Sequence, residues 1–134
     1  MKDFKLVVVF AVLLLLSACA GPSDWYNDEL PEDYEIWRLN ASEILLCKRI
    51  GETQGLTVIR SYVFEAAYSE DYIFVKQVES KEVVQDTGAH NYFIINILTG
   101  DVSGAYTREE FEALDMVIGL ETFPEWKNVT KRPG

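Results

Sequence analysis

Apolar and polar positions alternate with a period of two along most of this chain, and the period lengthens to a helical one near residue 107. Tyr34–Leu39 and Glu43–Ile50 predict two strands joined by a turn at Asn40-Ala41-Ser42. Gly51-Glu52-Thr53-Gln54-Gly55 predicts a loop, and 57–68 a single longer strand with Val58, Tyr62, Phe64 and Ala66 on one parity. After a turn at Ser69-Glu70-Asp71, the stretch 72–78 sets Tyr72, Phe74 and Lys76 against Ile73, Val75 and Gln77. Residues 79–90 read as a polar connection. Residues 91–98 predict the next strand, and Thr99-Gly100-Asp101 a tight turn into a strand over 102–106.

Thr107-Arg108-Glu109-Glu110 then has the spacing of a capping box. The Thr107 hydroxyl suits the backbone N–H of Glu110, and the Glu110 carboxylate suits the N–H of Thr107. Tyr106 and Phe111 are spaced as a hydrophobic staple across that cap. Phe111, Leu114, Val117 and Ile118 keep one helical stripe that stops at Gly119. Phe123 and Trp126 are the docking positions of the tail, and residues 131–134 are expected to fray. These elements predict one α+β domain over residues 34–130. Its expected architecture is a single antiparallel sheet of five to six strands, meander-like, with a short C-terminal helix packed on it.

The N-terminus follows a different rule. Lys2 and Lys5 precede an uninterrupted apolar run from Leu6 to Leu16. A membrane-spanning helix needs about 20 apolar residues, so this run reads as the core of a cleavable signal peptide over residues 1–18. It ends in Leu16-Ser17-Ala18-Cys19, which resembles a bacterial lipobox. The resemblance implies cleavage before Cys19, a thioether-linked diacylglycerol on its sulfur and acylation of its new amine. Stable anchoring takes about two chains or signals, at about 0.8 kcal/mol per buried methylene. The membrane is therefore the first expected partner, reached through lipid on Cys19. Residues 19–33 read as the lipidated Cys and an acidic tether interrupted by Trp25 and Tyr26. The localisation that follows is the bacterial cell envelope. Ala20 after the Cys points to the outer membrane in a host with two membranes. In a host with one, the protein sits on the outer face of the cytoplasmic membrane.

Composition narrows the remaining choices. Of 134 residues, 49% are hydrophobic and 13% aromatic, too many for a disordered chain. Twelve basic against 22 acidic residues give a net charge of −10. Nucleic acid is excluded as a partner, because binding it needs a basic footprint. A basic protein or peptide is the partner that this charge favours.

Candidate chemistry is sparse. With Cys19 lipidated, Cys47 stands alone in the apolar run Ile44–Ile50 and reads as a free cysteine packed in the core. The single His, His90, lies in a polar stretch, and one His with one Cys falls short of the usual metal ligand count. Ser61, Ser69 and Ser103 have no His nearby in sequence, although triads assemble in space. The acids at 24–33 lack the spacing of a calcium loop. Carboxylate pairs such as Glu109/Glu110 are numerous enough for chance to explain them. Tyr26, Tyr34, Tyr62, Tyr68, Tyr72, Tyr92 and Tyr106 fall on both strand parities, which favours packing over one ligand-binding face. No catalytic residue, cofactor site or metal site is assigned.

The residues Tyr92-Phe93-Ile94-Ile95-Asn96, Thr99-Gly100-Asp101-Val102, Gly104, Thr107 and Glu109-Glu110-Phe111 form an ordered series, with Asp71-Tyr72-Ile73 and Lys76-Gln77 upstream. In this series the chain resembles a family of small, uncharacterised bacterial lipoproteins known only as a domain of unknown function. A Pro often follows the Gly in that family, where this chain has Ala105. The resemblance implies lipoprotein topology and assigns no activity. The expected function is thus a membrane-anchored lipoprotein acting as a non-catalytic interaction or binding domain. A small envelope hydrolase working through carboxylates or His90, and a lipoprotein that holds a small ligand on an aromatic sheet face, are the alternatives.

Overall fold

The computed structural model describes residues 25–27, 29–52 and 54–131. The expected signal peptide, the expected cleavage region at Leu16-Ser17-Ala18 and Cys19 lie outside them. Strands β1 (Trp25–Asn27), β2 (Tyr34–Asn40), β3 (Glu43–Arg49) and β4 (Gly55–Ile59) form one antiparallel sheet in that order. Strands β5 (Val63–Tyr68), β6 (Tyr72–Gln77), β7 (Asn91–Asn96), β8 (Val102–Tyr106) and β9 (Lys127–Asn128) form a second, ordered β8-β7-β6-β5-β9. Helices α1 (Arg108–Glu112) and α2 (Asp115–Ile118) follow β8.

Two expectations are corrected here. The single sheet is two sheets, because the strand expected over 57–68 divides. Its first part closes the edge of the four-stranded sheet, and its second part enters the five-stranded one. Register shifts on both sides of the break act as bulges that bend the chain. Residues between them stitch the crossing. Arg60 pairs with Glu79, Ser61 Oγ donates to the Ser42 carbonyl, and Gln77 Nε2 donates to the Ser61 carbonyl at 2.9 Å. The expected single helix is two short turns, since Leu114 takes an extended conformation between them. Elsewhere, the sheet begins within the segment read as a tether. Trp25–Asn27 pairs with β2, and Leu30 is buried.

The main core fills the space between the sheets. Tyr34, Ile36, Ile44 and Leu46 come from one side, and Ala66, Ile73, Val75 and Ile95 from the other. On the opposite face of the second sheet, Ala67, Phe74, Tyr92 and Ile94 pack under Phe111 of α1. Both faces of β5 and β6 are therefore covered, which is why their burial does not alternate cleanly.

The first sheet carries a buried carboxylate. Glu35 is 6% exposed and accepts from Trp37 Nε1 at 2.8 Å and from Arg49 Nε at 2.6 Å. Arg49 also reaches the carbonyls of Gly51 and Glu52, so the group fixes the loop after β3. Next to it, Cys47 is fully buried, as expected of a core residue. It is not the free cysteine that the sequence suggested, because the structure holds it disulfide-bonded. The one other cysteine in the sequence is Cys19, outside the described residues.

Candidate functional site: an aromatic cleft under the C-terminal helices

Cross-strand pairing draws a row of side chains over the outer face of the second sheet. Glu65 on β5 pairs with Lys76 on β6, Lys76 with Tyr92 on β7, and Tyr92 with Tyr106 on β8. Lys76 thus stands where strand alternation places an inward-facing residue. Its side chain is only 15% exposed. The ammonium is held by Glu65 at 3.3 Å, and it lies 4.5 Å from the ring centre of Trp126 and 5.7 Å from that of Tyr92. A cation over an aromatic face is favourable, and more so once water is excluded.

Helix α1 closes over this row. Its cap forms as the sequence predicts, with Glu110 N–H donating to Thr107 Oγ1 at 3.1 Å and Thr107 N–H donating to Glu110 Oε1 at 2.9 Å. That fixed start turns Phe111 inward, where it stacks on Tyr92 at 4.8 Å and meets Phe74 edge-on at 5.9 Å. Phe123 and Trp126 dock beside it, as expected of the tail. Their ring centres lie 5.4 Å apart, and Phe123 is 4.8 Å from Phe74. β9 then ties the tail to the edge of β5, and Val129 N–H donates to the Phe64 carbonyl at 3.1 Å.

Between helices, tail and the 79–90 connection lies a cleft of about 480 Å³. That is within the size range of small-ligand sites. Tyr92, Phe111, Phe123 and Trp126 line it with aromatic surface. Lys76, Arg108 and Glu112 supply charge, and Thr87 and His90 a polar wall. Arg108 Nε donates to Glu112 Oε1 at 3.1 Å, one helical turn away. Both side chains are more than half exposed, so their pairing adds little to stability. Burial raises the Tyr92 phenol above its ordinary pKa, so it remains a neutral hydroxyl. Hydrogen bonding and charge from Glu112 raise Arg108 further above an already high value.

His90 stands at the cleft rather than on a remote loop. Its ring lies 4.7 Å from Phe64, and its Nε2 is 2.7 Å from the Val84 carbonyl. A carbonyl only accepts, so Nε2 carries the proton and Nδ1 is left as an acceptor in the neutral ring. Ser61, one of the serines considered for a triad, has its hydroxyl engaged elsewhere. It donates to the Ser42 carbonyl and accepts from Ile44 N–H. Among the described residues, no three His, Cys, Asp or Glu side chains converge as a metal site.

The tyrosines divide as their mixed parity indicated. Tyr34 and Tyr62 belong to the core between the sheets, and Tyr92 to the cleft. Lys76, Thr87, Arg108 and Glu112 escaped sequence reasoning as site residues because α1, the tail and the connection converge only in the fold. One signal was present: Lys76 is a charge on the parity of Phe74, a position that burial normally denies to lysine.

A family described as protein of unknown function (DUF3997) matches residues 31–123. The chain belongs to the DUF3997 family. The match agrees with the domain-of-unknown-function resemblance read from the series Tyr92 to Phe111 and the residues upstream of it. It also contains every lining residue of the cleft except Trp126. No curated protein and no solved structure matches the chain. No helix among the described residues is long and apolar enough to cross a membrane.

Proposed function

We propose that this DUF3997 protein is a lipid-anchored protein of the bacterial cell envelope, and that its domain binds a small ligand in the aromatic cleft. The cleft carries the binding part of the proposal. It is concave, it is walled by aromatic rings on a rigid sheet, and it offers a few polar groups at fixed positions, which is the usual make-up of a ligand site. Binding is favoured over a Ser–His hydrolase because the Ser61 hydroxyl is engaged with backbone groups of Ser42 and Ile44 and does not line the cleft with His90. The acidic surface steers basic partners at long range. Among the described residues the cleft is the better-defined site.

The anchor rests on the order of charge, apolar run, small residues and Cys19 in the leader. In the lipidated protein the Cys19 sulfur forms the thioether, so the disulfide that the structure gives Cys47 belongs to the chain before lipidation. Mass spectrometry of the protein extracted from native membranes decides between the two forms. The expected N-terminal peptide begins at Cys19 and carries diacylglycerol. A peptide cross-linked through Cys19 and Cys47 in the membrane fraction would overturn the anchor.

A fragment screen by NMR tests the cleft. The expected hits shift resonances of Phe123 and Trp126 and lose binding in Val117→Trp, which fills the space. A screen in which no fragment shifts these resonances overturns the binding reading.

A further inference from the structure

We infer that the ligand of this cleft is a neutral, polyhydroxylated ring, the chemistry of a carbohydrate; the inference rests on the binding reading above and names its ligand class. The charges of the cleft lead to it. Each cation that lines the site has its own carboxylate: Lys76 has Glu65, and Arg108 has Glu112. An anionic ligand reaching Arg108 meets Glu112 beside it, and a cationic ligand reaching Glu112 meets Arg108. Charge balance therefore penalises both and leaves a neutral ligand favoured.

The Arg108–Glu112 pair also has a definite hydrogen-bonding character. With Nε given to Glu112 Oε1, the guanidinium keeps its four terminal N–H donors, and Glu112 keeps a free Oε2 acceptor next to them. A hydroxyl group both donates and accepts. Two neighbouring hydroxyls on a ring thus match an adjacent donor and acceptor at once, each with a charge-assisted bond. Lys76 Nζ, with one partner in Glu65, adds donors at the floor, and Tyr92 adds a neutral hydroxyl.

The aromatic wall supplies the rest. Trp126 and Phe123 are only half-buried and both line the cleft, with their ring centres 5.4 Å apart and 33° from parallel. The face of an aromatic ring is negative, and it attracts the weakly positive C–H bonds on the flat side of a sugar ring. A space of about 480 Å³ accommodates such a ring with its substituents.

The test titrates the mature protein in nanodiscs with chitooligosaccharides and maltooligosaccharides, followed by tryptophan fluorescence and NMR. Indole serves as a hydroxyl-free probe and glucuronate as an anionic one. The inference expects saturable binding of a neutral saccharide, weakened at least tenfold in Trp126→Ala and in Glu112→Gln. Glu112 is solvent-facing, whereas Trp126 packs in the aromatic cluster, so unchanged NMR dispersion verifies that each variant keeps the fold. Arg108→Lys keeps the charge but loses the planar fork, and it is expected to weaken binding as well. Indole binding in the cleft without any saccharide binding overturns the ligand class and leaves the binding reading standing. Glucuronate binding more tightly than every neutral sugar also overturns the class. No probe binding in the cleft overturns both.

Discussion

At Gly104 the backbone has φ of +123°, a conformation that side-chain-bearing residues rarely adopt. A Cβ there would lie 2.6 Å from the Tyr92 carbonyl oxygen and 2.8 Å from Phe93 Cδ1. The glycine is what lets edge strand β8 approach β7 so closely beneath the cleft. Gly100 differs: its φ is +77°, but a Cβ there meets nothing within 4 Å. Gly104→Ala is therefore expected to destabilise the domain by more than the backbone strain alone, which is about 1–3 kcal/mol. Gly100→Asn is expected to be tolerated, since Asn visits the left-handed region readily. Urea unfolding of the two variants checks the difference, and equal losses would contradict it. The sequence displayed both glycines with the same spacing and gave no means of ranking them.

Among the elements, α1 was the most legible. Its capping box forms with both reciprocal hydrogen bonds. Such caps are local, so the four residues carry nearly all the information needed. Thr107→Ala is expected to cost about 1 kcal/mol, or about 4–8 °C in Tm for a domain of this size. Thermal unfolding monitored by circular dichroism checks this, and an unchanged Tm would show the cap to be dispensable. The strand expected over 57–68 was less legible. Val58, Tyr62, Phe64 and Ala66 keep one parity on either side of Arg60 and Ser61, so the alternation does not mark the crossing. Partners far away in sequence decide it, namely Glu79 for Arg60, and Ser42 and Gln77 for Ser61. β9 is shorter still. Two residues carry no strand signal of their own, and only the open edge of β5 makes them a strand.

For the whole molecule, two sheets enclose a core that includes Tyr62, while Tyr92 supports the second cluster under α1. Burial raises the pKa of both phenols, more than the opposing pull of Arg38 on Tyr62 and Arg108 on Tyr92. The unfolded chain releases these protons near pH 10, whereas the folded chain retains them to higher pH. Above pH 10 the folded state thus binds more protons, and stability falls as pH rises. The contribution is complete below the unfolded value and is lost as pH passes through the raised folded one. Denaturant melts between pH 8 and 11.5 are expected to show this decline, with a shallower slope in Tyr92→Phe. An identical slope in wild type and variant would remove Tyr92 as a source.

The sequence by itself determined the features that depend on neighbours along the chain: most strands and their turns, the cap of α1 and the acidic charge. Hydrophobic period, turn chemistry and capping act over a few residues, so a few residues suffice to reveal them. Only the tertiary structure decided that the strands divide into two sheets and that the tail joins the second one. It also brought Lys76, Arg108, Glu112, His90 and Trp126 around one cleft. These are matters of which distant surfaces meet. They are set by burial of both faces of β5 and β6 and by hydrogen bonds spanning many residues, and no local pattern encodes them.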